Sequence, residues 1–485
     1  MNSIQHFIDG QWVDSVDGAT FESITPIDNT VIATVARGGM ADADRAVEAA
    51  RRAFDDGPWP RMSPTARKQI LHRAAALLDE RLEEFAQAET LDMGKPIAES
   101  RTKDVPRAAY NLRFFADFAE HAHTETYAKP WDNVMTYTLR EPAGVAACIS
   151  PWNFPLMLAT WKISPALAYG NTIILKPAEQ SPLTAALLAQ AFSDAGMPDG
   201  VVNVVQGFGP DEVGERLTEH AGVDLITFTG ESATGRAIMG KAAQTLKRCS
   251  FELGGKSAAI VMADADLDRA VAGTIDGIFR NQGEVCLAGS RLFVQRGIYD
   301  EFCERYVAAA EALVVGDPRD PATQVGPLVS TEHFDKVMSY IQLGHREGAK
   351  LLTGGERVTT GELASGNYVA PTVFADVDNS WRIAREEIFG PVQVIAPFDN
   401  VDEAIALAND SRYGLAGQIW TSNLDTAHKV ARGVRTGTMW VNCFFIRDLR
   451  APFGGMKDSG VGREGGLHSE EFFTEAKAVV IQFPS

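Results

Sequence analysis

Cys286 stands in Asn281-Gln282-Gly283-Glu284-Val285-Cys286-Leu287-Ala288-Gly289-Ser290-Arg291, among small, polar and turn-forming residues. A lone cysteine is more often a buried filler, but a polar, glycine-rich setting favours a reactive thiol. Phe251-Glu252-Leu253-Gly254-Gly255-Lys256-Ser257 places one carboxylate between apolar residues and a glycine pair. A partly buried glutamate has a raised pKa and serves as a general base, although glutamates near glycines are also common on surfaces. The run from Ile226 to Gly235 reads as a strand, a glycine turn and a helix start, and backbone N–H groups at such a start suit a phosphate. Only Gly230 and Gly235 are glycines there, so the GxGxxG pattern is absent and a structural turn explains the run equally well. Ile174-Leu175-Lys176-Pro177-Ala178-Glu179 ends another strand. Lys176 and Glu179 can hold ribose hydroxyls, and a carboxylate at that place repels a 2′-phosphate; a solvated charge pair is the plain alternative.

The elements that must position these groups follow from periodicity. A hairpin is expected from Phe7-Ile8 through Asp9-Gly10 to Trp12-Val13. Helical spacing runs over Ala41 to Phe54 and Pro64 to Leu91, and a further helix over Val105 to Ala122. Thr136 to Leu139 and Gly144 to Ile149 read as strands, the second apolar enough for a buried parallel position. From Thr172 onward strands and helices alternate: Thr172 to Leu175 before Pro182 to Ala195, Val201 to Val205 before Asp211 to Thr218, Leu225 to Phe228 before a helix from Ala233. That rhythm predicts an α/β fold with a doubly wound parallel sheet, whose ligands sit at the carboxyl ends of the strands. A second βα series starts at Ala258 to Val261, and Ala478 to Phe483 ends the chain as a strand.

Composition narrows the function. The 485 residues exceed one ordinary domain, and no apolar run of about 18 residues predicts a membrane helix. Met1 to Gly10 lacks the basic-then-apolar order of a signal peptide, so a cytoplasmic location is expected. The net charge of −19 opposes binding to nucleic acid or to an anionic membrane. Five cysteines (Cys148, Cys249, Cys286, Cys303, Cys443) without CxxC or Cys/His spacing argue against disulfides and against a metal site.

Seven motifs occur in order: Pro151-Trp152-Asn153-Phe154-Pro155, Lys176-Pro177-Ala178-Glu179, Phe228-Thr229-Gly230, Glu252-Leu253-Gly254-Gly255-Lys256, the Cys286 run, Glu386-Glu387-Ile388-Phe389-Gly390-Pro391 and Pro452-Phe453-Gly454-Gly455. Together they resemble the aldehyde dehydrogenase superfamily over nearly the whole chain. The resemblance implies NAD as cofactor and Cys286 as the nucleophile that takes the aldehyde through a thiohemiacetal and a thioester to an acid. It implies an oxyanion hole from Asn153 and the Cys286 N–H, a water-activating Glu252, and Glu464 as a proton relay from Glu252. Trp152, Lys176, Glu179, Gly230, Glu387 and Phe389 match cofactor-binding positions. Glu231 departs from the family, standing where many members have a serine beside the pyrophosphate. The family fold implies a Rossmann-like cofactor domain over residues 1–120 and 146–253. It also implies an α/β catalytic domain over 254–460 and a small β extension, 121–145 with 461–485, that pairs subunits into a homodimer or homotetramer.

The substrate side carries two arginines. Arg447, in Ile446-Arg447-Asp448-Leu449-Arg450, falls where many members have an aromatic or apolar residue, and Arg107 falls on a tunnel-lining helix. Both resemble the branch acting on 2-hydroxymuconic and 5-carboxymethyl-2-hydroxymuconic semialdehydes, and two arginines can clamp a carboxylate. The alternative is ion pairing of Arg107 and Arg447 with nearby Asp104 and Asp448. Other functional alternatives are a general aldehyde dehydrogenase for uncharged or betaine-type aldehydes, a coenzyme-A-acylating enzyme, which Glu252 opposes, and a non-catalytic protein on the same fold, which the complete set of Cys286, Asn153 and Glu252 opposes.

Overall fold

The computed structural model describes residues 2–484; Met1 and Ser485, the outer limits of the expected cofactor domain and subunit-pairing segment, lie outside the described residues. Two large sheets dominate. The first has eight strands in the order Gly460–Val461, Arg248–Glu252, Leu225–Thr229, Val145–Ile149, Thr172–Lys176, Val202–Val204, His6–Ile8, Gln11–Val13. Its five central strands are parallel and its edges antiparallel. The central strands Val145–Ile149, Thr172–Lys176 and Leu225–Thr229 are buried at every position, as a parallel sheet covered on both faces requires.

The N-terminal hairpin forms as expected, with Phe7 opposite Trp12 and both Asp9 (φ 55°) and Gly10 (φ 75°) left-handed, the backbone of a tight two-residue turn. Helices Met40–Asp55, Val105–Glu120, Leu183–Asp194 and Ser232–Ala242 agree with the periodicity. The single helix expected over Pro64 to Leu91 is two, Pro64–Glu80 and Leu82–Met93. Arg81 breaks it with φ −103° and ψ 24° while pairing with Asp194. The helix Pro155–Ala168 has no amphipathic signal in the sequence, because twelve of its fourteen residues are buried and no polar face remains.

The second sheet has seven strands, Lys350–Thr353, Thr372–Ala375, Val392–Phe398, Arg291–Gln295, Ala258–Val261, Ala416–Trp420 and Thr438–Val441. All pairings are parallel except the first. A three-stranded antiparallel sheet, Thr126–Lys129, Val134–Pro142 and Thr474–Gln482, carries the chain's last strand. Among the described residues no helix is long and apolar enough to cross a membrane.

Candidate active site

A cleft of about 630 Å³ opens beside the carboxyl ends of the first sheet's strands. Eight of the expected site residues line it: Trp152, Asn153, Lys176, Glu179, Gly230, Cys286, Glu387 and Phe389. Lys176, the last residue of its strand, donates from Nζ to the Pro177 carbonyl at 2.7 Å and pairs with Glu179 at 3.5 Å. Burial pulls the Lys176 ammonium below its usual range. Trp152 and Phe389 meet edge to face at 5.3 Å, and Phe389 holds a left-handed φ of 63°. Such a conformation is rare for an aromatic residue and is found where the surrounding structure enforces it.

The sequence reading missed His333 and Lys336, which line the same cleft from the helix Thr331–Glu347. His333 Nε2–H donates to the Phe389 carbonyl at 2.7 Å, and its ring lies edge-on to Trp152 at 5.3 Å. Burial lowers its pKa to about 4, so it is neutral at physiological pH. Helical spacing alone gave no sign of either residue. Their signal is the position of that helix over the cleft.

Cys286 follows a turn in which Asn281 and Gln282 are both left-handed, φ 48° and 46°. The paired glycines allow the close approach here. A Cβ on Gly255 would lie 2.5 Å from the Cys286 carbonyl oxygen, and one on Gly254 would lie 2.0 Å from Glu387 Oε2. Glu387 Oε1 accepts from the Gly255 N–H at 2.8 Å, and burial raises its carboxyl to about 7. Asn153 Nδ2 donates to the Glu284 carbonyl at 2.8 Å. Its amide has a second hydrogen to offer, and the bond fixes Asn153 beside the Cys286 turn. Burial, with the charges of Glu387 and Glu252, pushes the Cys286 thiol up to about 12, while Arg447 pulls it down.

Glu252 ends the strand Arg248–Glu252, buried, with neither carboxyl oxygen hydrogen-bonded. Burial and the charge of Glu464 hold its carboxyl well above the usual carboxylate range, against Lys162, Arg447 and Arg463. Glu464 itself is pinned: Lys162 Nζ and Thr227 Oγ1 donate to Oε1 at 3.2 Å each, and Trp161 Nε1 donates to Oε2. Trp161 and Lys162 come from Pro155–Ala168, the helix without a sequence signal, so their part in the site was not foreseen.

Arg447 lies in the loop before Phe453. Its guanidinium carbon stands 3.6 Å from the Phe453 ring centroid and 4.6 Å from that of Trp161, and Nη2 is buried without a hydrogen-bond partner. Burial and the nearby charge of Arg107 lower its pKa to about 10, opposed by Glu252, Glu464 and Cys286. Arg107 is half-buried and donates from Nε to Asn111 Oδ1 at 3.0 Å. Asp448 pairs with Arg450 and Asp104 with Lys95, so the two acids weighed as partners for these arginines are engaged elsewhere. No cluster of three or more potential metal ligands occurs among the described residues.

A profile of the aldehyde dehydrogenase family matches residues 12–479. The 2-hydroxymuconic semialdehyde dehydrogenase of Pseudomonas sp. (strain CF600) is 50% identical over 99% of this chain and 100% of its own length. A 2-aminomuconic 6-semialdehyde dehydrogenase of Pseudomonas sp. is 45% identical over 99% of this chain and 98% of its own. The solved structure of the P. syringae indole-3-acetaldehyde dehydrogenase AldA with NAD+ and IAA superposes with a TM-score of 0.96 at 46% identity, covering 99% of this chain and 96% of that one. Cys286 and Asn153 line the cleft while Glu252, Glu464, Arg107 and Arg447 stand outside its lining, and a family match running almost end to end places this chain in the aldehyde dehydrogenase family.

Proposed function

We propose that this aldehyde dehydrogenase uses NAD to oxidise a carboxylate-bearing aldehyde of the muconic semialdehyde class through a thioester on Cys286. The observation carrying the substrate reading is Arg447: a half-buried arginine whose guanidinium lies against two aromatic rings, with Nη2 buried and unpartnered and a second arginine close by. A buried guanidinium nitrogen without an acceptor is costly, and a substrate carboxylate supplies one. Muconic semialdehydes, named for two of the relatives, carry a carboxylate at the end of the chain opposite the aldehyde.

The residues present fit NAD. A cleft of about 630 Å³ lies within the rough 300–1,000 Å³ of small-molecule sites. Thr229 Oγ1 is buried there without a partner, beside an uncapped helix start. Lys176 and Glu179 would hold one ribose, Glu387 the other, with Gly230 near the phosphates and Trp152 and Phe389 beside the nicotinamide. When bound, NAD supplies the hydride acceptor.

Cys286 Sγ attacks the aldehyde carbon and becomes part of a thiohemiacetal. Arg447's charge favours the thiolate this requires. Asn153 Nδ2 and the Cys286 N–H donate to the developing oxyanion. After oxidation the carbon remains bound to sulfur as a thioester; Glu252 removes a proton from the water that attacks it, the C–S bond breaks, and the acid leaves with the Cys286 thiolate restored. Glu464, fixed by Lys162, Thr227 and Trp161, receives that proton from Glu252.

Residues 1–120 with 146–253 then form the cofactor domain, 254–460 the catalytic domain, and 121–145 with 461–485 a subunit-pairing extension of a dimer or tetramer. Five free cysteines fit a reducing, cytoplasmic setting.

The test is Arg447→Ala and Arg107→Ala on a muconic semialdehyde and on an uncharged aldehyde of similar size. Leaving one partner of a buried charge pair alone costs roughly 2–5 kcal/mol, about 30-fold or more in kcat/KM. That loss is expected on the acid substrate only. Equal losses on both aldehydes would make the arginines structural.

A further inference from the structure

Asn111 stands behind the arginine pair. It is fully buried and lies one turn along the helix Val105–Glu120 from Arg107, on the same face. Both ends of its amide are used. Oδ1 accepts from Arg107 Nε at 3.0 Å, while Nδ2 donates to the Met157 carbonyl and to Thr160 Oγ1, each at 3.1 Å. Met157 and Thr160 belong to the helix Pro155–Ala168, which also carries Trp161.

These bonds settle which way the amide faces. The Met157 carbonyl can only accept and the Arg107 Nε–H can only donate. A reversed amide would set oxygen against oxygen and donor against donor. Thr160 Oγ1 turns its own proton onto the carbonyls of Leu156 and Met157, at 2.9 and 3.0 Å, and so accepts from Asn111. The acceptor offered to Arg107 is therefore fixed in place, and it carries no charge.

Both properties bear on a carboxylate clamp. Arg107 stands close enough to Arg447 for its charge to lower the Arg447 pKa, and like charges repel across such a gap. Arg107 is half-exposed, so that repulsion drives it toward solvent unless something holds it. The Asn111 bond takes only Nε, and among the described residues it is the one hydrogen bond of this guanidinium and no acid pairs with it. The Nη groups stay available to a carboxylate, and the positive charge is not cancelled as it would be by an aspartate.

We infer that Asn111 is a positioning residue that anchors Arg107 through Nε without neutralising it, so that the Nη groups can grip the carboxylate of the substrate together with Arg447. The inference rests on the carboxylate-bearing substrate proposed above and adds a residue that sets the affinity for it.

The experiment measures kcat and KM on a muconic semialdehyde and on an uncharged aldehyde of similar size. The proteins are the full chain, N111L, N111D, R107A, R107K and R107A/N111L, each verified by a thermal melt. Asn111→Leu should raise KM for the acid substrate about tenfold, as expected for losing a hydrogen bond to a charged group, with kcat little changed. The uncharged aldehyde should respond far less. Added to Arg107→Ala, the same substitution should cost about twofold or less, because the arginine it positions is gone. Asn111→Asp keeps an acceptor but pairs off the charge, and should also raise KM for the acid substrate. Arg107→Lys, at a half-exposed position where folding is not at stake, keeps the charge but has no fork to anchor at Nε. It should raise KM for the acid about tenfold, and an unchanged KM there overturns the inference even if residue 111 tolerates no substitution. Equal losses on both aldehydes in N111L, or a loss that persists in the R107A background, make Asn111 a packing residue only. If Arg107→Ala itself spares the acid substrate, the carboxylate reading falls and this inference with it.

Discussion

At the residue scale, burial holds the two groups proposed to react, the Cys286 thiol and the Glu252 carboxyl, toward their protonated forms. The Cys286 thiol stands near 12 and the Glu252 carboxyl well above its ordinary range, each chiefly because burial penalises the charged form. The consequence for pH is definite in sign. Glu252 acts as a base only after losing its proton, so a raised pKa moves the gain of activity to higher pH. Turnover limited by thioester hydrolysis should climb with pH from well above the usual carboxylate region. Glu252→Gln should remove that limb, giving a burst of NADH followed by a steady rate lower by about 10²-fold or more. Stopped-flow absorbance against pH checks both, and an unchanged steady rate in the variant would assign water activation to another group. Cys286 and Glu252 could be picked out as candidates because each stands in a run with glycines, and Asn153 only through the resemblance that Pro151-Trp152-Asn153-Phe154-Pro155 helps to carry. His333, Lys336, Trp161 and Lys162 could not, because each lies on a helix whose own pattern reports only its packing, and the site arises where that helix crosses another segment of the chain.

At the element scale, the carboxyl end of the strand Thr172–Lys176 presents Lys176 and Glu179 together. This strand was readable as an apolar run before a helix, and so was the sheet it belongs to. The almost wholly buried helix Pro155–Ala168 and the break at Arg81 were not, since one lacks a polar face and the other falls in a run with no glycine or proline after Pro64 to mark it. Lys176 is occupied by the Pro177 carbonyl and by Glu179, so it is not free to receive a 2′-phosphate, and Glu179 repels one. The chain should therefore prefer NAD over NADP. Glu179→Gln should narrow that preference by about tenfold, worth roughly 1.4 kcal/mol, mainly through a lower KM for NADP. A wild-type enzyme as efficient with NADP would show that Lys176 abandons Glu179 for the phosphate.

At the scale of the whole molecule, the three-stranded sheet is poorly explained by one copy of the chain. Its outer strand Thr474–Gln482 pairs along its length with Val134–Pro142 and leaves its other edge open. Trp131 is 81% exposed and Val480 65%, with Tyr127 and Phe483 also out in solvent. Large apolar side chains gathered on a small sheet with an open edge mark a surface built to be covered, and a second copy pairing edge to edge would cover it. The net charge of −19 works against association, so apolar burial must provide the attraction, and added salt should strengthen the assembly by screening the repulsion. Sedimentation of the unaltered chain should give two or four copies per particle. Val480→Asp with Trp131→Asp should shift it to single copies, because each carboxylate would be desolvated in the interface. Both positions are exposed in the single chain, so its own fold should melt within a few degrees of the unaltered protein once dissociated. A monomeric unaltered chain, or a variant still assembled, would place the subunit contact elsewhere and leave this sheet's exposed face without a partner.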